Sequence, residues 1–323
     1  MSFSRGLLGG WFALVAVGAG MLVTAVVPAG PDWFAPAGAV VIGAAFTIGL
    51  AVRDGGRPLI FGALATALGL VTVLTDYDLL RTGAAVLVAA VAAVFAVMVT
   101  VPTRGLVGSA REALIALFLA SIGGLAAIGF EPALHIYRFE YGVLGLALLG
   151  AFAVVYRLGA GLHGLGRRGL LVVAIGTILL AVTLLYAELL RRYGSTGLVD
   201  QLLAWVHDSR RTLGAFPRPI VTLLGVPALV YGCHMRARRR QGWWVCAFGV
   251  AATAPAATAL ANPAILIREA GLSLVYGLVL GVLIGWLVIR IDLLITSKPG
   301  RRRRAAQRPD VVRPEPARWS PLL

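Results

Sequence analysis

The sequence predicts an all-α, polytopic integral membrane protein of about ten transmembrane helices, with both termini cytoplasmic and one interfacial amphipathic helix on the outer face. Composition, the recurrence of apolar runs and the placement of arginine predict it. Hydrophobic residues make up 59% of the chain and charged residues 13%, and the mean hydropathy is +0.89. A soluble domain of this composition would expose apolar surface that it lacks the polar residues to cover. Apolar runs long enough to cross about 30 Å of hydrocarbon recur between short polar breaks. The net charge of +15 sits in short connections and one tail, where basic residues act as topology signals. A nucleic-acid binder needs a basic patch on a folded soluble surface, so no nucleic-acid partner is expected.

In chain order the spans fall near Leu7–Val27, Phe34–Val52, Pro58–Leu74, Gly83–Val101, Ala113–Phe130, Tyr141–Leu158, Gly169–Ala187, Ile220–His234, Trp243–Ala261 and Ala270–Ile289. The first lies behind Ser4 and Arg5 and is read as a retained span, because about twenty apolar residues exceed a signal-peptide core. Arg5, Arg53, Arg57, Arg104, Arg111, Arg157, Arg167, Arg168, Arg236, Arg238, Arg239 and Arg240 then share one side of the membrane. Outside the long connection between the seventh and eighth spans, the other side holds only Arg81, Arg138 and Arg268. The richer side is expected to be cytoplasmic. Lys298 is the only lysine among 29 basic residues, a bias that points to a GC-rich bacterial genome and hence to a bacterial plasma membrane.

The long connection, Glu188 to Pro219, is the one stretch with room for further structure. On a helical wheel Leu198, Val199, Leu202, Leu203, Trp205, Val206 and Leu213 share one face, and Asp200, Gln201, His207, Asp208 and Arg211 the other. Gly194 and Ser195 precede this pattern, and Gly214, Pro217 and Pro219 close it. A helix over about 197–213 is expected, lying along the outer surface with its apolar face in the acyl boundary. Docking of that face on neighbouring spans as a strut is the rival.

Residues 1–296 are therefore read as the helical bundle and 297–323 as a disordered, Pro/Arg-rich cytoplasmic tail. Arg301 to Arg304 make the tail either a topological anchor or a contact for anionic lipid head groups. Within the spans, the Gly277, Gly281, Gly285 stripe allows close helix approach, against a neighbour in the same chain or across a dimer seam. Pro227 and Pro255 interrupt two consecutive helices, a feature that lines binding sites in some transporters. Cys233 and Cys246 are read as small buried side chains without a disulfide. Cys233 beside His234 lacks the further ligands a zinc site needs, so no metal and no cofactor are expected.

None of the fourteen acids falls at a span centre, which argues against a midplane proton relay. Instead Asp76 and Asp78, Glu131 and Glu140 with His135 and Arg138, Glu188, and Arg268 with Glu269 fall at outer span ends, and His207 lies beside them on the amphipathic helix. These residues are the candidate ligand-binding rim. Such a rim suits a lipid head group or polar solute, whereas its structural reading is charge marking the water interface. No catalytic residues are assigned, since no G-x-S-x-G, H-E-x-x-H, Gly-Lys-Ser/Thr or G-x-G-x-x-G context is present. The Gly-rich loop Gly159–Gly169 has no strand before it and is read as a plain connection.

Three function classes remain. A transporter or flippase of a small or amphiphilic solute comes first, and would be supported by Thr253, Thr258, Ser273 and Tyr276 converging on one cavity. A non-enzymatic scaffold or envelope-assembly factor would instead pack its helices solid and meet a protein partner or a second copy through its tail or surface helix. A membrane enzyme acting on an outer-face lipid-linked substrate would need two rim carboxylates at one outward pocket.

Overall fold

The computed structural model describes residues 5–27, 30–75, 77–133, 135–158, 166–237, 242–262, 265–296 and 315–322. Among these every regular element is helical: α1 (Arg5–Leu22), α2 (Phe34–Arg53), α3 (Pro58–Thr75), α4 (Asp78–Met98), α5 (Leu106–Gly129), α6 (Ile136–Arg157), α7 (Gly166–Tyr193), α8 (Thr196–Leu213), α9 (Val226–Arg236), α10 (Gly242–Ala247), α11 (Val250–Thr258) and α12 (Ile267–Thr296), with short 3-10 and π turns between some of them. Among the described residues eight helical segments are long and apolar enough to cross a bilayer. The other two expected spans are shorter apolar stretches, Val173–Tyr186 within α7 and Ile220–Arg236.

The helical ladder is irregular near both prolines. Pro227 has no N–H to donate four residues back, and the turn before it, Ile220–Gly225, widens to π geometry, with the Val226 N–H donating to Val221. Between α10 and α11 the Phe248 and Gly249 N–H groups reach only three residues back, to Val245 and Cys246 (3.1 and 2.8 Å), a 3-10-type tightening of the ladder. Pro255 then sits inside α11.

Alanine and glycine decide which helices form the centre. Ala39 and Ala45 of α2, Ala89, Ala92, Ala93 and Ala96 of α4, Ala120 and Ala127 of α5, and Ala251 to Ala257 of α11 are buried. Small side chains let these backbones approach closely, the main source of packing energy where lipid is as apolar as the helix surface. A Cβ added at Gly124 would stand 2.8 Å from the Ala257 carbonyl, so α5 and α11 touch backbone to backbone. The α12 stripe packs within the same chain: Cβ atoms at Gly277, Gly281 and Gly285 would meet Val221, Val226 and Val230 at 2.9, 2.6 and 2.8 Å. Helices α1, α3, α7 and α12 form the periphery, with large side chains such as Leu59, Leu74, Ile178 and Leu283 facing outward. Trp11 anchors α1 to α2 by donating to the Ala45 carbonyl (2.8 Å).

Helix α8 starts after extended Ser195 and ends at Gly214, whose φ of 78° is a left-handed cap that costs glycine nothing. Leu203, Trp205 and Leu213 of its apolar face are each more than half exposed, whereas Val199, Leu202 and Val206 are partly buried, so only part of that face is covered by the described residues. The helix is held at one end: Arg210 pairs with Glu269 (3.3 Å) and the Tyr276 hydroxyl donates to the Leu213 carbonyl (2.8 Å).

The tail departs from the sequence expectation. Residues 297–314 and 323 lie outside the described residues, but 315–322 are docked on the end of the bundle where α2, α4 and α9 finish. The Leu322 N–H donates to the Arg53 carbonyl (2.9 Å). The Trp319 ring lies 5.1, 5.2 and 6.5 Å from those of Trp11, Phe12 and Phe95. Apolar periodicity is absent here, yet one indole wedged among rings, together with paired charges, holds the segment without it.

Candidate functional site

The acids expected to form one rim do not share one site. Glu131 pairs with Arg81 (3.6 Å), Glu140 with Arg218 (3.2 Å) and Glu269 with Arg210 (3.3 Å). The sequence had grouped them with neighbours in their own loops, Glu131 and Glu140 with His135 and Arg138, and Glu269 with Arg268. Each instead takes an arginine from another element: along α6 and α12 the helical turn carries neighbouring residues around to different faces, and Glu131 sits in the loop after α5. Asp78, His135, Arg138, His207 and Arg268 are exposed. Asp76 and the Glu188 side chain lie outside the described residues.

One of these acids lines a cavity. Between the ends of α1, α2 and α5 a pocket of about 380 Å³ is lined by Thr24, Gly30, Asp32, Ala35, Ile128 and Glu131. Among the described residues Glu131 is the one non-glycine with positive φ, at 50°, a conformation that costs roughly 1–3 kcal/mol. Its N–H donates to the Ile128 carbonyl (2.7 Å), which holds the backbone in this turn beside the pocket. Asp32 is the second carboxylate of that pocket and was not singled out from the sequence. It stands in Pro31-Asp32-Trp33, with no second ionisable residue beside it to mark it.

Beside this pocket lies an apolar one. A groove of about 340 Å³ runs between α2, α3 and α4, with Thr47, Phe61, Leu64, Leu68, Leu87 and Phe130 among its walls. It exists because α3 leans on α2 through Gly62 and Gly69 and leaves the rest of its surface open. Phe130 faces the groove and Glu131 the rim pocket, so consecutive residues at the end of α5 separate an apolar compartment from a carboxylate-lined one.

A second polar constellation, at the opposite end, escaped the sequence reading. Arg53 and Arg236 are 2% exposed and Glu112 is fully buried. Arg236 pairs with Glu315 (2.5 Å), donates to the Thr100 carbonyl and hydroxyl (2.9 and 2.8 Å) and stacks on Trp243 with its guanidinium carbon 3.4 Å from the ring centre. Glu112 accepts from Arg318 (2.8 Å), Arg111 (2.9 Å) and the Val101 N–H (3.0 Å). Arg53 donates from Nε to Met98 (2.9 Å) and from Nη1 to Ala317 and Ser320 (2.9 and 2.7 Å). Arg53 and Arg236 thus satisfy the Met98 and Thr100 carbonyls, buried where α4 ends, which would otherwise be costly. One signal was legible: Glu112 shares its helix face with Ser109, Ala113, Ala116, Ala120 and Gly123, the small-residue face that packs inward.

Cys233 and Cys246 are buried free thiols, and the Cys246 sulfur accepts from Arg236 Nη1 (3.7 Å). Among the described residues no three His, Cys, Asp or Glu side chains gather as a metal site. In comparisons with known proteins no family model, no curated protein and no solved structure matches this chain.

Proposed function

We propose that the protein is a transporter or flippase of an amphiphilic solute that enters sideways from the bilayer. The apolar part lies in the groove between α2, α3 and α4, and an amine-bearing head meets Asp32 and Glu131. The adjacency of groove and rim pocket across Phe130 and Glu131 carries this reading. Two carboxylates against the one guanidinium of Arg81 favour a cationic group. In this reading the chain crosses a bacterial plasma membrane ten times with its arginine-rich end in the cytoplasm, and α8 lies in the outer interface, its exposed Leu203 and Trp205 in the acyl boundary. A reporter after Leu323 then reads as cytoplasmic and one near Thr196 as external; finding both on one side removes this topology.

The functional test is transbilayer movement of a fluorescent phosphatidylethanolamine analogue in proteoliposomes. The wild-type chain should speed it, and Ala65→Phe or Ala84→Phe, which fill the groove, should slow it. Movement no faster than in protein-free liposomes sinks the reading for that head group.

The scaffold alternative has its own observation. The four hydroxyls that would mark a transport cavity do not converge: Thr253 donates to Ala93 (2.9 Å), Thr258 to Ala254 (3.1 Å), Ser273 to Phe216 (2.8 Å) and Tyr276 to Leu213 (2.8 Å). All are spent on backbone carbonyls. The enzyme alternative is supported by the two carboxylates of the rim pocket, and chemical conversion of the lipid analogue, rather than its movement, would favour it.

A further inference from the structure

We infer that the end of the bundle built by Arg53, Arg236, Trp11 and Phe95 is a binding site for an anionic, single-chain amphiphile, and that the C-terminal segment 315–322 is its built-in occupant. This site lies at the opposite end from the rim pocket, shares no lining residue with it or with the groove, and stands independently of the reading proposed for them.

The helices alone leave the site electrically unfinished. Arg53 closes α2 and Arg236 closes α9. The carboxylate that the bundle supplies to this cluster, Glu112, is engaged by Arg111 and the Val101 N–H. Without the tail, Arg53 keeps the Met98 carbonyl and Arg236 keeps Thr100, all neutral acceptors. With the tail away, two guanidiniums anchored on carbonyls only two residues apart, Met98 and Thr100, repel each other, and a ligand bearing negative charge relieves them.

The tail imitates such a ligand in two parts. The Glu315 carboxylate lies on Arg236 as an anionic head would, and the Trp319 indole fills the ring-lined compartment of Trp11, Phe12 and Phe95 as an apolar body would. The imitation is incomplete. The segment brings one acid, Glu315, and one base, Arg318, so among the described residues Arg53, Arg236 and Arg318 are matched by Glu112 and Glu315. Arg53 Nη2, buried with the rest of its side chain, has no hydrogen-bond acceptor among the described residues. A phosphate or carboxylate head carries the missing charge and has oxygens to spare for Nη2, as guanidinium forks favour. Because the site lies where spans end, a single-chain amphiphile can reach it from the membrane surface.

The test uses the full-length protein in a neutral maltoside detergent, with dodecyl phosphate and inorganic phosphate as probes. Glu315→Gln combined with Trp319→Ala loosens the occupant and should bind dodecyl phosphate at least tenfold more tightly than the wild type. Adding Arg53→Gln should abolish that gain. Equal binding by the loosened and wild-type chains overturns the proposal, and inorganic phosphate binding as tightly as dodecyl phosphate overturns the amphiphile assignment. Should the loosened variant fail to fold, a fluorophore on Leu322→Cys in the otherwise wild-type chain reports the same competition. Saturable release by dodecyl phosphate supports the proposal, and no release sinks it.

Discussion

The two ends of the bundle handle charge in opposite ways. At the rim, Glu131, Glu140 and Glu269 each meet one arginine, and every partner stays open to solvent. At the other end Arg53, Glu112 and Arg236 are buried and tied together by the C-terminal segment. Both sets look alike in the sequence, as ionisable residues at span ends. The difference teaches that a span end exposes a charge only if nothing folds back over it. Where something does, the charges become structural connectors.

The largest expected effect falls on the buried end. Glu315→Ala leaves Arg236 buried without its carboxylate and should cost about 3–5 kcal/mol, seen as a lower unfolding midpoint in detergent; an unchanged midpoint would erase the distinction between the two ends. Trp319→Ala empties the ring compartment and should cost about 2 kcal/mol, less than for a fully enclosed tryptophan. Gly281→Leu drives a side chain into Val226 and should cost about 1–3 kcal/mol, which sets the helix seam on the same scale as the charge cluster.

Smaller effects are expected at the rim. Glu140→Gln and Glu269→Gln each remove a solvent-screened pair and should change stability by less than about 1 kcal/mol. Glu131→Gly should raise stability by about 1 kcal/mol by relieving the positive φ, while weakening any amine held at the pocket; a loss of stability would show that the Glu131 carboxylate is structural.

Asp54, just beyond α2, gives the smallest effect. Burial raises its carboxyl above the ordinary range, with Arg157 at 3.2 Å opposing the shift. A carboxyl raised in the folded state lends stability that is full below the ordinary aspartate range and is lost as pH rises through the raised value. Asp54→Asn should flatten that mildly acidic slope in a pH series of unfolding midpoints, and an identical slope would show that other groups set it.

What the sequence determined by itself is local in origin. Apolar runs place the long helices, because backbone groups in hydrocarbon must bond within their own segment. The bounds of α8 follow from Ser195 and Gly214, whose conformations need no distant partner. The α12 glycines announce a close helix contact whichever neighbour supplies it. Only the tertiary structure decided which charges are buried and whether the tail is ordered. Arg53 finds its acceptors 45, 264 and 267 residues away, and Glu112 meets Arg318 across 206. The free energy of a charge depends on the medium and counter-charges around it, and those are assembled by packing; no window along the chain contains them.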